Sequence, residues 1–418
     1  PQPAFLVDQG CAATDVYFAH ETKLSDSAKG MSKRDAGIAV CNGSVGGTAV
    51  GNGINGDKDT YIIRYTTSAS AYGLRAVAAA SGSEMDEDGV GFDKRYQPSI
   101  ANNTLVAYGS TTSGDIDPVN GMTAQEVTVG ASDVAAETFL QYSEGELLGH
   151  LPSDDGYVVK EIIYPDFLLD DEDPAKEFDA VNRLKGMTYY RPVVVPFNFF
   201  ANRGGEGNPE DGPQTDVTPV PFTNMTRLMA VSIFSGSVAN WNEFSDDAAL
   251  DLPIVVCMRH AGSGTVATLN AAIMRNDAFL VEYEDDAGDP RVFFNKGSSD
   301  MMRCVGQNAG AVGYADTDKC KSNCTDKEDD YGKVLSMTYN GSEGKSVDIR
   351  KGVHEFWSAQ WLYSKYNVGT ANGDLVKALN DFASDGTKLP LTGKEDYWAA
   401  QGDMGWSKST DFSYPLPN

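Results

Sequence analysis

The sequence has no long apolar stretch and very little histidine. No run approaches the roughly 20 consecutive apolar residues that a membrane-spanning helix needs, and no secretory signal peptide is recognisable at the start. Only four histidines occur among the 418 residues, and the G-x-S-x-G pattern of many serine hydrolases is missing. We therefore expect a soluble chain, or a mature form already processed, that is not an enzyme.

Basic residues are also few. The chain has 33 Lys and Arg against 60 Asp and Glu, which gives a formal net charge of -27 at pH 7. Such a charge excludes nucleic acid and anionic membrane surfaces as partners. It still allows a local anion site, because salt screens exposed charges beyond about 8 Å, whereas a buried arginine acts at contact distance. The acidic stretch 84–93 lacks the full spacing of a calcium-binding loop, so we expect no metal and no cofactor.

The six cysteines include no C-x-x-C pair, and no histidine lies near them at zinc-binding spacing. An even number of cysteines in such a chain indicates disulfides, which form outside the cytoplasm, so we expect a periplasmic or extracellular protein. The pairs that we expect are Cys11 with Cys41, Cys257 with Cys304, and Cys320 with Cys324. Six cysteines permit many other connectivities, and the sequence leaves those open.

Apolar runs alternate with helical patterns along the chain, which is typical of an α/β fold with parallel strands. The predicted strands are 4–7, 61–65, 127–131, 189–200, 254–258 and 308–314. The predicted helices begin at Asp15 and after Val134, and cover 226–234, 266–273 and the aromatic-rich 353–363. We expect 81–125 to form loops with short strands, and 201–218 and 320–331 to form exposed loops.

The stretch 253–274 is the strongest candidate for a binding site. An apolar run there indicates a strand buried on both faces, and helical spacing follows it. The loop between them holds Arg259, Ser263, Gly264 and Thr265, with Thr265 as the expected N-cap of the helix. Free amides at a helix start, an arginine fork and two hydroxyls suit a phosphate or carboxylate group. An ordinary strand-turn-helix junction has the same pattern, and spacing alone does not separate the two.

Three other predicted loops carry a polar residue after a strand, namely Thr14, Ser70 and Asp133. Ligands of parallel sheets lie beyond the carboxyl ends of the strands, so these loops and the Arg259 loop would meet at one cleft. Each residue also has an ordinary structural interpretation. Hydroxyl residues are common in turns, and Asp is a common helix N-cap.

Two blocks of sequence resemble a known family. Residues 225–244 read MTRLMAVSIFSGSVANWNEF, and residues 252–265 read LPIVVCMRHAGSGT. They are similar to the I-F-S-G tryptophan run and to the R-x-D-G-S-G-T motif of the PstS-like phosphate-binding proteins of ABC importers. The segments around Thr14, Ser70 and Asp133 resemble the other ligand loops of that family. The resemblance spans most of the chain in order.

The resemblance implies a fold, a ligand and a partner. The fold is that of the two-lobed type II periplasmic binding proteins, with the ligand cleft between the lobes. We expect lobe 1 to comprise 1–192 and 336–418, with an insertion around 81–125, and lobe 2 to comprise 193–335. The implied function is secreted binding of an oxyanion, phosphate above all, for the membrane subunits of an ABC importer. The implied ligand residues are Thr14, Ser70, Asp133, Arg259, Ser263, Gly264 and Thr265.

In such a site a protonated phosphate oxygen donates to Asp133, which would repel fully ionised sulfate, and Arg259 neutralises the anion. The sequence departs from the family pattern at Ala261, which replaces an acid, and at Asp15, which replaces an aromatic residue. These departures and the insertion leave a second hypothesis open: an extracellular structural or self-associating protein that reuses the fold. An enzyme would need a nucleophile beside a base, and only His260 lies near the motif.

Overall fold

The computed structural model describes most of the chain. The described residues are 2–26, 31–41, 61–67, 70–79, 93–112, 114–139, 147–153, 156–162, 184, 186–204, 219–247, 250–259, 263–275, 291–295, 297–320, 324–388 and 394–418.

Strands and helices follow one another along these residues. The strands are β1 Val16–Asp26, β2 Met31–Cys41, β3 Tyr61–Thr66, β4 Lys94–Pro98, β5 Val106–Ala107, β6 Met122–Glu126, β7 Val129–Ser132, β8 Leu147–Ser153, β9 Gly156–Ile162, β10 Thr188–Asn202, β11 Asn224–Met225, β12 Val255–Arg259, β13 Val292–Asn295, β14 Ala311–Asp316, β15 Val334–Ser336, β16 Thr338–Tyr339, β17 Trp357–Ser364, β18 Ala399–Ala400, β19 Trp406–Ser407 and β20 Leu416–Pro417. The α-helices are α1 Gln2–Asp8, α2 Ser70–Ala78, α3 Ala136–Phe139, α4 Arg227–Phe234, α5 Gly264–Leu269, α6 Ser298–Gln307, α7 Glu328–Tyr331, α8 Ser346–Arg350 and α9 Ala371–Ala383. This mixture of sheets and helices confirms the α/β class.

The chain divides into two compact units. Unit 1 comprises Pro1–Ser132, Glu172–Pro192 and Trp361–Pro390, and unit 2 comprises Asp133–Asp171, Val193–Gln360 and Leu391–Asn418. Strands β10 and β17 each have residues in both units. The lobe boundaries expected at residues 193 and 336 stay a prediction.

Unit 1 is built on antiparallel strands. Its four-stranded sheet has the order β3-β2-β1-β5, and every pairing in it is antiparallel. Helices α1 and α9 contribute to a small core beside this sheet, in which Phe5 and Phe382 meet edge to face with ring centroids 5.6 Å apart. All six residues of the edge strand β3 are partly exposed, whereas residues 36–41 of its neighbour β2 are buried.

Helix α2 lies against strand β7 at two glycines of unit 1. A Cβ atom on Gly73 would collide with the carbonyl oxygen of Ala131, and a Cβ atom on Gly130 would collide with that of Gly73. Both positions need glycine because backbone approaches backbone there. The contact fixes α2, which begins at Ser70, on the strand that ends at Ser132.

Unit 2 contains the parallel strands that the sequence predicts. Its sheet has the order β10-β14-β12-β13-β8-β9, and β15 and β18 also pair with β10. Strand β12 is parallel to both β13 and β14, and β13 is parallel to β8. Every residue of β12 and β13 is buried. Burial on both faces explains why these strands appear as continuous apolar runs in the sequence.

The core of unit 2 is rich in aromatic side chains. Its fully buried rings include Phe197, Phe199, Phe200, Phe234, Trp241, Phe294, Tyr314, Tyr339 and Phe356. The indole N–H of Trp241 donates to the carbonyl oxygen of Gly310 at 2.8 Å, which satisfies the polar atom of that buried ring. The predicted helix 226–234 is confirmed as α4, whose N-cap is Thr226. Rings of this size bury much apolar surface, which is the main favourable contribution to folding.

All three expected disulfides are present. Cys11 is bonded to Cys41, Cys257 to Cys304, and Cys320 to Cys324. The first joins the segment after α1 to the end of β2 in unit 1. The second joins β12 to α6 in unit 2, so it links a strand to the helix that packs on the sheet.

The predicted order of the first two elements is wrong. Residues 2–8 form a helix, not a strand, because Phe5 and Leu6 can both be buried on one helical face. The chain from Val16 forms strand β1, not a helix, and pairs with β2 and β5. Pairing with neighbouring strands decided this segment, since its own pattern suits either structure.

Two further predictions need correction. Residues 353–363 were expected to form a helix, but 357–364 are strand β17, in which Trp357, Trp361 and Tyr363 recur at a spacing of two or four. The acidic stretch 320–331 is not only a loop, because it contains α7 and the 3₁₀ turn Thr325–Lys327. The strands predicted at 61–65, 189–200, 254–258 and 308–314 are confirmed. Of the stretch 201–218, the residues after 204 lie outside the described part.

No helix within the described ranges has both the length and the apolar character to cross a membrane. Among the same residues, no three His, Cys, Asp or Glu side chains cluster as metal ligands. The acidic stretch 84–93 lies outside the described part except for Asp93.

Candidate functional site

Arg259 is the last residue of β12, at the carboxyl end of the parallel strands of unit 2. The residue paired with it on β13 is Asn295, which is likewise the last of its strand. The backbone N–H of Arg259 donates to the hydroxyl oxygen of Tyr314, on β14, at 3.3 Å. Both neighbouring strands therefore fix the backbone of Arg259 at the sheet edge where ligands of parallel sheets bind.

The Arg259 side chain is buried, with 9% of the residue exposed. One guanidinium nitrogen, Nη1, donates to Oγ of Ser298 at 2.7 Å and to Oγ1 of Thr265 at 3.3 Å. Burial lowers the pKa of Arg259, and nearby carboxylates and the Tyr314 hydroxyl act in the opposite direction. Arginine stays protonated in proteins, so the site contains a buried positive charge next to two hydroxyl groups.

The N-cap of the helix after β12 lies two residues earlier than predicted. The Ser263 hydroxyl oxygen accepts a hydrogen bond from the backbone N–H of Thr265 at 3.2 Å. Ser263 is therefore the N-cap, and the expectation that Thr265 has this role is wrong. The reason is that an N-cap has an extended backbone, which Ser263 has, whereas Thr265 is already helical. Freed from capping, the Thr265 hydroxyl contacts Arg259 instead.

This helix ends in a wide turn. Helix α5 continues without a break into the π-helical residues Asn270–Met274, and the backbone N–H of Arg275 donates to the carbonyl oxygen of Asn270. Every residue from Gly264 to Met274 is buried. Isolated π turns are frequent at functional sites. The helix that starts at the candidate site is thus held along its whole length by the core of unit 2.

Ser298 is a site residue that sequence reasoning missed. It is the first residue of α6, directly after the N-cap Gly297, and its hydroxyl contacts Arg259. A pattern in the sequence could have revealed it. The apolar residues 292–294 are followed by a glycine and two serines, which is a second strand-loop-helix start of the kind that carries Ser263.

Asp133 directly follows β7, as predicted, and brings a carboxylate to the site. Its Oδ1 atom accepts a hydrogen bond from Nε2 of Gln360 at 2.9 Å, and the carboxylate interacts electrostatically with Arg259. Gln360 lies on β17. It was missed because 353–363 was predicted as a helix. The spacing of its aromatic neighbours could have indicated a strand.

Two other carboxylates near Arg259 have cationic partners of their own. Asp316 pairs with Lys319 at 3.7 Å, and Asp300 pairs with Arg303 at 2.8 Å. Both carboxylates raise the pKa of Arg259. Their own pairing reduces the negative potential that they would otherwise contribute to the site.

The two remaining predicted ligand residues lie in unit 1. Thr14 is exposed in the 3₁₀ turn Ala13–Asp15, and its hydroxyl donates to Oδ1 of Asp15 at 3.3 Å. Thr14 precedes a strand, so the helix start expected after it is wrong. Ser70 is the first residue of α2 and is partly buried. The structure thus brings together Asp133, Arg259, Ser263, Gly264 and Thr265 in unit 2, and it adds Ser298 and Gln360.

Residues 260–262 lie outside the described part of the chain. The departure from the family pattern at Ala261, the orientation of His260 and the contribution of Gly262 therefore stay predictions.

The described residues have the chemistry of an oxyanion site. The guanidinium of Arg259 and the hydroxyls of Ser263, Thr265 and Ser298 are hydrogen-bond donors, and a helix start adds backbone N–H groups. When Asp133 is ionised, it can accept hydrogen bonds but not donate them. It therefore suits a ligand that carries a proton as well as negative charge.

No protein-family model matches the chain. Several solved structures are similar to parts of it. One, described as a phosphate ABC transporter substrate-binding protein from Clostridium perfringens with bound phosphate, is 18% identical, with 53% of this chain and 73% of that chain covered and a TM-score of 0.36. An ABC-type phosphate transport receptor from Vibrio cholerae is 17% identical, with 47% and 67% covered and a TM-score of 0.33. A high affinity periplasmic phosphate-binding protein, PfluDING, bound with phosphate, is 12% identical, with 72% and 78% covered and a TM-score of 0.37. Similarity at this level establishes neither a family nor a ligand for this chain.

Proposed function

We propose that this chain is a non-catalytic binding protein for a tetrahedral oxyanion, phosphate, and that it works outside the cytoplasm. One observation carries the proposal. Arg259 is buried at the carboxyl end of a parallel strand, with hydroxyls from the starts of two helices on one of its nitrogens and Asp133 within electrostatic reach. A buried cation surrounded by hydroxyl groups, with Asp133 among the carboxylates near it, matches an anion that is both charged and protonated.

Arg259 supplies the attraction in this proposal. A guanidinium offers donors in a planar fork that fits two oxygens of a phosphate group, and charge-assisted hydrogen bonds are roughly twice as strong as neutral ones. Ser263 and Thr265, at the start of α5, offer a hydroxyl each, and the backbone N–H of Gly264 lies in the first turn. Ser298 accepts a hydrogen bond from the same guanidinium nitrogen as Thr265.

Asp133 supplies the selectivity. Phosphate at neutral pH carries at least one proton, which can be donated to a carboxylate oxygen, whereas sulfate carries none and would be repelled. Gln360 donates to Oδ1 of Asp133. This hydrogen bond orients the carboxylate.

The location and the partner follow from other features. Three disulfides are consistent with an oxidising compartment, because such bonds are rare in the cytosol. The ABC importer as partner, and Thr14 and Ser70 as further ligand residues, are supported by the sequence resemblance alone.

Isothermal titration with phosphate and with sulfate tests the proposal. We expect binding of phosphate in preference to sulfate. Arg259→Met should weaken phosphate binding by about a hundredfold, the equivalent of one or two charged hydrogen bonds. Asp133→Asn should reduce the preference for phosphate over sulfate by about tenfold or more, because the repulsion of sulfate is removed.

A matched control is Arg203→Met, which removes an arginine of the same unit from an exposed ion pair with Glu328. It should leave phosphate binding unchanged. Absence of heat with phosphate for the unmodified protein would rule the proposal out. So would a phosphate-to-sulfate affinity ratio that is the same in the unmodified protein and in Asp133→Asn.

A further inference from the structure

The segment 406–418 contacts three elements that carry the candidate site. The contacted residues all belong to unit 2. The first contact of the segment is with the residues after Asp133 that lead into α3. The second is with the start of β17, the strand of Gln360, and the third is with the end of the helical stretch that starts beside Ser263. No sequence motif points to this segment.

Asp411 makes the first of these contacts. It is 8% exposed, and its Oδ2 atom accepts hydrogen bonds from the backbone N–H of Ala135 at 2.7 Å and from the Thr138 hydroxyl at 2.9 Å. Ala135 lies two residues after Asp133, although it is 276 positions from Asp411 in the sequence. A carboxylate from a distant part of the chain thus holds the backbone that leads out of Asp133.

Lys408 makes the second contact. Its ammonium group donates to the carbonyl oxygens of Glu355 at 2.8 Å and of Trp357 at 2.7 Å. Trp357 begins β17, and Gln360 of the same strand donates to Asp133. The same short segment therefore anchors both the backbone after Asp133 and the strand whose side chain orients its carboxylate.

Arg275 makes the third contact. It follows the last residue of the π turn and donates from Nη1 to the carbonyl oxygen of Phe412 at 2.6 Å. The helical stretch that it closes begins with the Ser263 N-cap and Thr265. Residues 408–412 are thus tied to the donor side of the site as well as to its carboxylate side.

We propose that Asp411 is a positioning residue that sets the place of the Asp133 carboxylate relative to Arg259, and through it the preference for phosphate over sulfate. This inference rests on the function proposed above. Hydrogen bonds are short-ranged and directional, so a displacement of about 1 Å at Asp133 is enough to lose the bond to a ligand proton. Asp411 touches no ligand itself and acts only through Asp133.

The test compares variants of the full chain by titration with phosphate and with sulfate. Asp411→Ala should weaken phosphate binding by about tenfold and lower the phosphate-to-sulfate affinity ratio by a similar factor, as expected for loss of buried hydrogen bonds to the Asp133 loop. Asp411→Asn keeps an oxygen that can accept both hydrogen bonds, so it should restore affinity and ratio to within about threefold of the unmodified protein. Thr138→Val removes one of the two donors and should have a smaller effect in the same direction.

A double-mutant cycle separates positioning from general destabilisation. In the Asp133→Asn background, Asp411→Ala should cause no further change in the affinity ratio, because the group through which it acts is already altered. Ser413→Ala is the matched control. Its hydroxyl contacts only Ser409 and Thr410 of the same segment in the hydrogen bonds of the described structure, and its removal should leave the ratio unchanged.

Each outcome decides a different question. If the unmodified protein binds phosphate and Asp411→Ala keeps its affinity ratio, the positioning role is wrong and the proposed function stands. If Asp411→Ala does not fold, Thr138→Val and Asp411→Asn decide, and an unchanged ratio in Thr138→Val overturns the inference. If the unmodified protein binds no phosphate, the proposed function and this inference fail together.

Discussion

The two compact units bury their apolar residues in different ways. Unit 2 has parallel strands covered on both faces and one large aromatic core. Unit 1 has antiparallel strands, of which the edge strand β3 is partly exposed throughout, and smaller separate cores, one of them built around Phe5 and Phe382. The candidate site residues differ in the same way, since the buried Arg259 is in unit 2 and the exposed Thr14 is in unit 1.

This difference indicates which unit can hold a buried charge. Arg259 is only 9% exposed, and its guanidinium needs fixed partners because an unsatisfied buried charge is costly. Unit 2 provides them through strand ends and helix starts that its core holds in place. The following predictions compare how the two units contribute to stability and to anion binding.

The largest effect is expected from removing disulfides. Replacing Cys257 and Cys304 by serine should cost about 4 kcal/mol of unfolding free energy, from the loop of 47 residues that the bond closes. Replacing Cys11 and Cys41, which close a loop of 30, should cost nearly as much. Denaturant unfolding followed by tryptophan fluorescence measures both losses.

The two disulfide variants should differ in binding. The Cys257–Cys304 bond joins the strand of Arg259 to the helix of Ser298, so its loss should weaken phosphate binding of the protein that remains folded more than loss of the Cys11–Cys41 bond does. An equal loss of affinity in the Cys11/Cys41 variant would contradict the larger contribution expected of unit 2.

The next largest effect is a loss of stability of unit 2 at acidic pH. His354 is fully buried, and its Nε2 lies 2.7 Å from the carbonyl oxygen of Phe197. Burial lowers the pKa of His354 from 6.5 to about 4. Between these two values the unfolded chain binds more protons than the folded chain, so stability is lost as the pH falls from 6.5 to about 4. The loss should be on the order of 3 kcal/mol.

Unfolding titrations of His354→Gln at several pH values check this contribution. Glutamine keeps a donor for Phe197 but does not titrate, so the variant should lose less stability than the unmodified protein over the same pH range.

Tyr65 of unit 1 affects stability at the alkaline end of the pH scale. Burial, with a smaller effect of Asp35, raises the pKa of Tyr65 to about 12, so its contribution is lost as the pH rises from 10 to about 12.

The smallest effect concerns ion pairs. Arg275 and Glu355 of unit 2 are less than a fifth exposed, and Glu355 also accepts a hydrogen bond from Tyr339 at 2.7 Å. Arg275→Met should therefore cost about 2 kcal/mol of unfolding free energy, because it leaves a partly buried carboxylate without its cation. Lys365→Met, which breaks the more exposed pair with Glu126 in unit 1, should cost less than about 1 kcal/mol. Equal costs would show that the units do not differ in how they hold charge.

The sequence predicted unit 2 better than unit 1, for a physical reason. A strand buried on both faces must be apolar throughout, so β12 and the long strand β10 are visible in the sequence without knowledge of their neighbours. Residues 2–8 and 16–22 are half buried, and their patterns fit a helix or a strand equally well. Only pairing with β2 and packing on α9 decided between them.

The candidate site was predicted in part for the same reason. Arg259 and Asp133 lie at the ends of predicted strands, and Thr265 precedes a predicted helix, so local sequence places them. Ser298, Gln360 and Asp411 lie in distant parts of the chain. A local pattern can indicate their strand or helix start, but it does not encode their contacts with Arg259, Asp133 and Ala135. The N-cap was misplaced by two residues because both Ser263 and Thr265 have suitable hydroxyls, and only the backbone conformation separates them.

The π turn 270–274 should make this helix tolerant of a one-residue deletion at that point. A π turn spans five residues per hydrogen bond where a regular helix spans four, so it accommodates one residue more than an α-helix would. Deleting one residue there lets the helix close as a regular α-helix, so the residues on both sides keep their directions. Arg275 would then still meet Phe412, and Ser263 and Thr265 would keep their places. The same deletion in a regular α-helix would rotate everything beyond it by about 100°.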